Sequence, residues 1–544
     1  MKITDIRATR SELRFVVEGD IKSVKIVERV PVVGGQKGRI LDELRAEARQ
    51  GEVVIPRFSG KHDRLTSRFE VYCAGDKTEG VCYVTDLAGD LADNREAYPQ
   101  PDTIKAMSGC TPEDASRLGI RQALCNINLL QLMTTEPDVD DIAYEHDGHT
   151  YYFVRSQVEA FDKEILSSTE RGIITTLILL NSPHGFGCTG KDKRLLDIAV
   201  HPGYDWKYPN AFISAFNVEQ EDGLNCFGAF IEFLAERYTR SDRRYGFAPG
   251  MIISNEVDSQ YVWGNAGEKT CRDYFEEYTQ AMRHAYLVSR KHYAHQRIYV
   301  SFDHYWDGLC HNVTEPLRYY PSRQCAEEIA RCCRRDGDFD WSIAFHPYPE
   351  DLSWCNFWMD RSPNFTFSTP RITFKNMEVL EAYMAQTHML YRGQPRRLIF
   401  SEQGFNSRGD GLKEITEEWA AAAYTLAYMK ARNMKTLDLF THHAYRDNPH
   451  EFGLNLGIRR FDADAPGTLG ERKPIYYAVE DMDTAREADR IEKAKKVIGE
   501  KLFDYLLHPP IETGERDGSK DGDFFSQPRK EEKSDFMAGN GPSA

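Results

Sequence analysis

Hydrophobic and polar positions follow two different rhythms along this chain. Through residue 92, short runs of β-forming residues recur at Leu13 to Glu18, Val24 to Val30, Glu52 to Ile55, Arg68 to Cys73 and Gly80 to Val84. Gly and Asp turn signals separate several of them, Pro56 closes the third, and one patch, Arg39 to Arg49, reads as helical. This pattern predicts an all-β, sandwich-like module over residues 1–92. The Pro-bearing stretch Tyr98-Pro99-Gln100-Pro101 marks a crossover, assigned to 93–118.

From about residue 118 strand patterns alternate with helical ones. The expected strands are 121–128, 172–181, 210–217, 250–256, 297–303, 341–348, 396–402 and 436–443. The expected helices are 158–171, 223–240, 271–293, 321–335, 375–391, 413–433 and one within 474–505, with a hairpin around Asp147-Gly148 inserted as a loop. The interval 182–209 carries Gly and Pro and reads as an elaborated loop. Eight such strands predict a (β/α)8 barrel over 119–510. An open doubly wound sheet is the runner-up, and no Gly-rich phosphate loop follows any strand to support it. Residues 511–544 are polar and read as a tail.

Composition narrows the partners. The 544 residues are 41% apolar and 28% charged, with a formal net charge of −16. That excess of carboxylates disfavours nucleic acid and other polyanions, and neutral substrates such as carbohydrates suit it better. No apolar run approaches the roughly 18–20 residues of a membrane span; the longest is Ile173 to Leu180. The N-terminal residues lack a secretory pattern, and the twelve cysteines include no Cys-x-x-Cys spacing. A cytoplasmic protein is expected, although a chain already trimmed of its signal reads the same way.

In a (β/α)8 barrel the chemistry sits at the C-terminal ends of the strands. Read in order, those ends carry Asn126-Ile127-Asn128, Asn181-Ser182-Pro183-His184, Ala215-Phe216-Asn217, Ser254-Asn255-Glu256, Asp303-His304-Tyr305-Trp306, His346-Pro347-Tyr348, Ser401-Glu402-Gln403 and His442-His443-Ala444-Tyr445. Together they describe a polar, aromatic-rimmed cup. Glu256 and Glu402 end strands four and seven, nearly opposite each other. Glycosidic cleavage needs two such carboxyl groups flanking the scissile bond. Asn255 is placed to hydrogen-bond a sugar hydroxyl, and Asn217, His304, Trp306, His346, Tyr348, His442 and Tyr445 are the other expected substrate contacts. Trp263, Tyr305, Trp354 and Trp358 also follow strands, where a flat ring either stacks on a sugar or packs within its loop.

The histidines at 184, 304, 346 and 442 raise a metal reading. No His-x-His pair ends the first strand and no His-Glu-x-x-His helix occurs, so neither a metal nor any other cofactor is assigned.

Asn255-Glu256 after strand four and Glu402 after strand seven resemble the clan A glycoside hydrolases, (β/α)8 retaining enzymes. His346-Pro347-Tyr348 resembles that clan's strand-six position for a Tyr touching the nucleophile. The segment from 93 to about 505, behind its all-β module, is similar to an uncharacterised bacterial family in or near the clan. The resemblance implies Glu256 as acid/base, Glu402 as nucleophile, Asn255 as partner of the sugar 2-hydroxyl and Tyr348 as hydrogen-bond donor to the nucleophile. It also implies net retention through a covalent glycosyl-enzyme. Two departures stand out: His442-His443-Ala444-Tyr445 replaces a frequent Trp after strand eight, and Val257-Asp258 replaces a frequent Pro after Glu256. The expected function is a retaining hydrolase of a β-linked oligosaccharide or glycan. The alternatives are a non-catalytic carbohydrate-binding barrel and a metal-dependent hydrolase.

Overall fold

The computed structural model describes residues 2–19, 22–33, 38–185, 192–308 and 314–512; most of the polar tail assigned above lies outside them. Its centre is a closed eight-stranded barrel: β1 (Lys105–Ala106), β2 (Gln122–Asn128), β3 (Ile174–Leu180), β4 (Gly250–Ile253), β5 (Arg297–Phe302), β6 (Trp341–Phe345), β7 (Leu398–Phe400) and β8 (Leu437–Thr441). Adjacent strands pair in parallel all the way round. A parallel barrel buries both faces of each strand, which is why these segments read as near-continuous apolar runs. One inward residue from each strand fills the interior: Ala106, Leu124, Ile178, Ile252, Tyr299, Ala344, Ile399 and Leu439 form a single cluster. Helices such as Glu221–Tyr238, Cys271–Ser289, Ser322–Asp336 and Lys413–Asn433 lie outside it.

Two strand assignments change. The first barrel strand is Lys105–Ala106, inside the stretch read as a crossover, and two residues are too few to carry a periodic signal. Residues 210–217 supply no barrel strand; they run irregularly over the C-terminal end of the barrel, tied by Ser214 and Ala215 to Asn265. The two errors cancel, so Glu256 still follows β4 and Glu402 still follows β7.

The N-terminal module is a nine-stranded sheet built from segments within residues 2–87. The strands Glu12–Glu18 and Arg68–Cys73 are separated by three others in the sheet order, yet Phe15 and Phe69 meet edge to face at 5.2 Å. The sheet therefore folds over on itself. Residues Ile40–Arg49, expected as helix, are one of its strands. Leu44, Ala46 and Ala48 pack inward while Glu43, Arg45, Glu47 and Arg49 alternate outward, and this period of two overrides helix propensity.

Module and barrel are joined by buried charge. The hairpin Ile142–His146/His149–Phe153 presents Asp147 to His62 of the module at 2.8 Å. The other ring nitrogen of His62 lies 2.9 Å from Glu28, a fully buried carboxylate that also accepts from Arg64. Burial pulls the His62 pKa down, but Asp147 and Glu28 outweigh it and carry it up to about 9. A cavity of about 700 Å³ opens nearby along the same seam, lined by Arg68, Glu70, Arg283 and Asp336 and separate from the barrel mouth.

A histidine whose folded pKa exceeds its unfolded value of about 6.5 stabilises the fold most below that value. The stabilisation fades as pH rises toward about 9. His62→Ala should therefore lower unfolding free energy by on the order of 2 kcal/mol at pH 6 and by much less at pH 9.5, read by urea denaturation at both pH values. An equal loss at both would contradict a charged His62.

Candidate active site

The site grows from the way β4 ends. Ser254 (φ +67°) and Glu256 (φ +36°) both adopt left-handed backbone on either side of Asn255. At non-glycine residues each such conformation costs about 1 kcal/mol or more, so the surroundings must hold it. The Ser254 amide donates to the Leu179 carbonyl at 2.9 Å and its hydroxyl to the Trp263 carbonyl at 2.8 Å. The Glu256 amide donates to the Ser301 hydroxyl on β5 at 3.0 Å. This kink turns Glu256 across the mouth instead of letting the strand run on.

Barrel register then aligns the partners. Phe302 pairs with Phe345 and Phe345 with Phe400, so Asp303, His346 and Ser401 follow three adjacent strands at one level. His346 Nδ1 lies 2.7 Å from Glu256 Oε1, and its Nε2 lies 3.0 Å from the Ser401 hydroxyl. Tyr348 donates its hydroxyl to Glu402 Oε1 at 3.1 Å. One donor atom each from Glu256, His346 and Glu402 falls within 4.8 Å of the others, so the two carboxyl groups face each other across a single small space.

Glu256 and His346 shift each other's protonation. Burial, then the charge of Asp303, pushes Glu256 up to about 7 against the opposing pull of His346. Burial works against a charged His346, but its bond to Glu256 and the nearby Glu402 outweigh this and raise the ring to about 9. Asp258, two residues past Glu256, is fully buried; burial and Asp303 hold it well above the carboxylate range. It ties the loops after β4 and β5 together, accepting from the Asp303 amide at 3.1 Å and the Ser322 hydroxyl at 2.8 Å.

Two groups of side chains have the spacing of metal ligands among the described residues. In the first, Glu256, His346 and Glu402, the two imidazole nitrogens already face Glu256 and the Ser401 hydroxyl as hydrogen-bond partners. In the second, His201, Glu219 and Glu277, the Lys269 ammonium already lies among the carboxylates, 2.8 Å from Glu219. The other histidines do not converge: His184 sits beside Tyr204 and Trp206, and His442 bonds the Leu456 carbonyl at 2.9 Å.

Of the residues expected from the sequence, Glu256, His346, Tyr348 and Glu402 come together, and the partly exposed Asn255 adjoins them. Five do not serve as expected. Asn217 is buried and braces its own loop, bonding the Ile198 carbonyl and Gln220. Trp306 is 0% exposed, donates to the Phe367 carbonyl at 3.1 Å and packs edge-on against Phe345 and Tyr383. His442 stacks on Phe405 beneath the mouth. Tyr445 turns away to donate to Asp114 at 2.7 Å. His304 is 2% exposed, walled in by the Tyr305 ring and Asp303. His304, Trp306, His442 and Tyr445 follow strands in sequence and Asn217 does not, but each of the five side chains is buried in the shell of the barrel.

Three polar residues were not among those expected. His443, between His442 and Tyr445, bonds Glu451 at 3.1 Å; burial lowers its pKa, but Glu451 and then Glu402 outweigh that and raise it. Ser301 and Ser401 hold the backbone of Glu256 and the ring of His346. A serine within β5 and one just after β7 were their only sequence signal, which does not distinguish a serine that holds a neighbouring side chain from one that fills space.

Solved structures similar to this chain include a family 39 glycoside hydrolase from Bacteroides cellulosilyticus WH2, 12% identical with a TM-score of 0.41, the match covering 88% of this chain and 80% of that one. The β-glucosidase of Pyrococcus furiosus is 15% identical with a TM-score of 0.42, covering 73% and 85%. The β-glycosidase of Thermosphaera aggregans is 12% identical with a TM-score of 0.43, covering 71% and 86%. Likeness at this level carries nothing about the reaction. No curated protein matches the chain. The model of a family of unknown function, DUF5722, matches residues 97–505.

The burial of Trp306 has a measurable consequence. Trp306→Ala should cost about 3–5 kcal/mol of unfolding free energy in urea denaturation, as for other large aromatics removed from cores. A loss below about 1 kcal/mol would return Trp306 to the cup's surface.

Proposed function

The chain belongs to the family of unknown function DUF5722, and we propose that it is a retaining β-glycosidase with Glu256 as acid/base and Glu402 as nucleophile. The observation that carries this reading is the facing pair of carboxyl groups, whose nearest oxygens lie within 4.8 Å. Double displacement uses carboxyl groups about 5–5.5 Å apart, whereas inversion needs about 6.5–9.5 Å to admit a water.

The surroundings favour the same division of labour. An acid must hold its proton near neutrality, and Glu256, raised to about 7, does so. The His346 imidazolium donates to Oε1, so the proton of neutral Glu256 sits on the other oxygen, free to reach the leaving glycosidic oxygen. Glu402 attacks the anomeric carbon, with the Tyr348 hydroxyl fixing which of its oxygens is turned aside. In the second step Glu256, now ionised, takes a proton from the water that releases the sugar, restoring both groups. Asn255, one residue before the acid, meets the 2-hydroxyl.

A metal-dependent hydrolase on Glu256, His346 and Glu402 is the second reading, favoured by their ligand-like spacing. Activity that survives EDTA removes it.

Glu402→Ala should abolish turnover of every β-glycoside, while Glu256→Ala should keep a far larger share on dinitrophenyl glycosides, which leave without protonation, than on unactivated ones. Equal losses on the two substrates would contradict the acid role. In the wild type kcat/KM should fall as pH rises through about 7, when Glu256 loses its proton. His346→Ala removes the charge that lowers the Glu256 pKa, so it should move that limb to higher pH, read from the same profile. A limb that stays or moves down would show that His346 does not hold Glu256.

A further inference from the structure

Among the described residues Trp206 is the tryptophan that the fold leaves most open, at 53% exposed, and no sequence signal singled it out. We propose that Trp206 is a stacking platform for the sugar beyond the cleaved bond, so that the substrate is an oligosaccharide and not a glycoside with a small leaving group. This rests on the glycosidase reading above.

The ring is held by its surroundings. Tyr204 meets it edge to face at 4.9 Å and 78°, and His184 at 5.5 Å and 86°. Edge contacts of this kind fix a ring's plane while leaving a face uncovered. Tyr204 is itself buried, with its hydroxyl on the Ala211 carbonyl. The next residue, Asp205, donates its amide to the Asn265 side-chain oxygen at 2.9 Å, and its carboxylate accepts from the Tyr261 hydroxyl at 2.7 Å and the Lys207 amide at 3.0 Å. Gly203 lies so close to the opposing loop that a Cβ there would stand 2.4 Å from the Ala266 carbonyl oxygen. The turn bearing Trp206 is therefore fastened at several points. An exposed tryptophan on a slack loop needs no explanation, but one locked in a fixed plane is arranged in advance for a flat apolar partner, such as a sugar face.

Its address gives the side of the bond. Asp205 and Gly203 are fastened to residues 260–267, the segment that begins four residues after Glu256, and His184 follows β3, the neighbour of β4. Glu256 gives its proton to the leaving oxygen, so the leaving sugar lies on the acid's side of the cup, the side whose 260–267 segment holds the turn bearing Trp206.

The test compares wild type, Trp206→Ala and Trp206→Phe on two substrates of one sugar: a glycosyl fluoride, whose leaving group has nothing to stack, and a β-linked tetrasaccharide. Trp206→Ala should lower kcat/KM on the tetrasaccharide about tenfold, mainly through KM, and leave the fluoride within about twofold. Trp206→Phe, which keeps a flat ring, should recover most of the loss. Equal losses on both substrates, or none on the tetrasaccharide, would overturn the platform while leaving the glycosidase reading intact. A wild type that hydrolyses neither substrate would overturn both.

Discussion

The site depends on one contact, the 2.7 Å hydrogen bond between Glu256 and His346. It joins the end of β4 to the end of β6, and through the Ser401 hydroxyl it reaches β7 beside Glu402. Without it, the left-handed turn at Glu256 would lose its anchor inside the mouth, and the Glu256 pKa would rise further under burial and Asp303. With it, the Glu256 carboxyl group is held at about 7 against the upward push of burial and Asp303, where the proposed acid/base role would need it. The His346 ring gains in turn: two facing carboxyl groups keep it charged in a place where burial alone would strip its proton.

That mutual dependence requires a fixed register between β5, β6 and β7. Parallel pairing in register from β5 to β7 puts the residue after each of these strands at the same level, so a shift of one residue in β6 or β7 would send His346 or Ser401 to the outer face. The interior below is plugged by a single cluster of mostly aliphatic side chains, one from each strand, which leaves the polar residues resting on a close-packed floor.

How much of this was legible in the sequence depended on whether a strand's end or a side chain's direction was being asked for. Strand ends were legible, since buried parallel strands leave unbroken apolar runs: Glu256, Glu402, His346 and Tyr348 followed from reading what comes next. The two-residue β1 left no such run, and 210–217 imitated one because residues covering a barrel's rim are buried too. Side-chain direction was not legible. Trp306, His442 and Tyr445 lie within four residues of strand ends, as His443 does, and their loops, fixed by distant partners such as Phe367, Leu456 and Asp114, turn them inward. Trp206 escaped notice for the converse reason. It lies more than twenty residues past β3, in a loop whose periodicity predicts no element, and that loop is fastened to 261–266.

The most direct measurement is the mass of the protein after reaction with an activated 2-deoxy-2-fluoro-β-glycoside, whose glycosyl-enzyme forms readily and hydrolyses slowly. A retaining mechanism with Glu402 as nucleophile predicts a gain of one fluorosugar, mapped by peptide mass spectrometry to Glu402 and absent from Glu402→Gln. A sugar carried on another residue, or turnover of unmodified β-glycosides that releases the α-anomer with no adduct at any time, would contradict it.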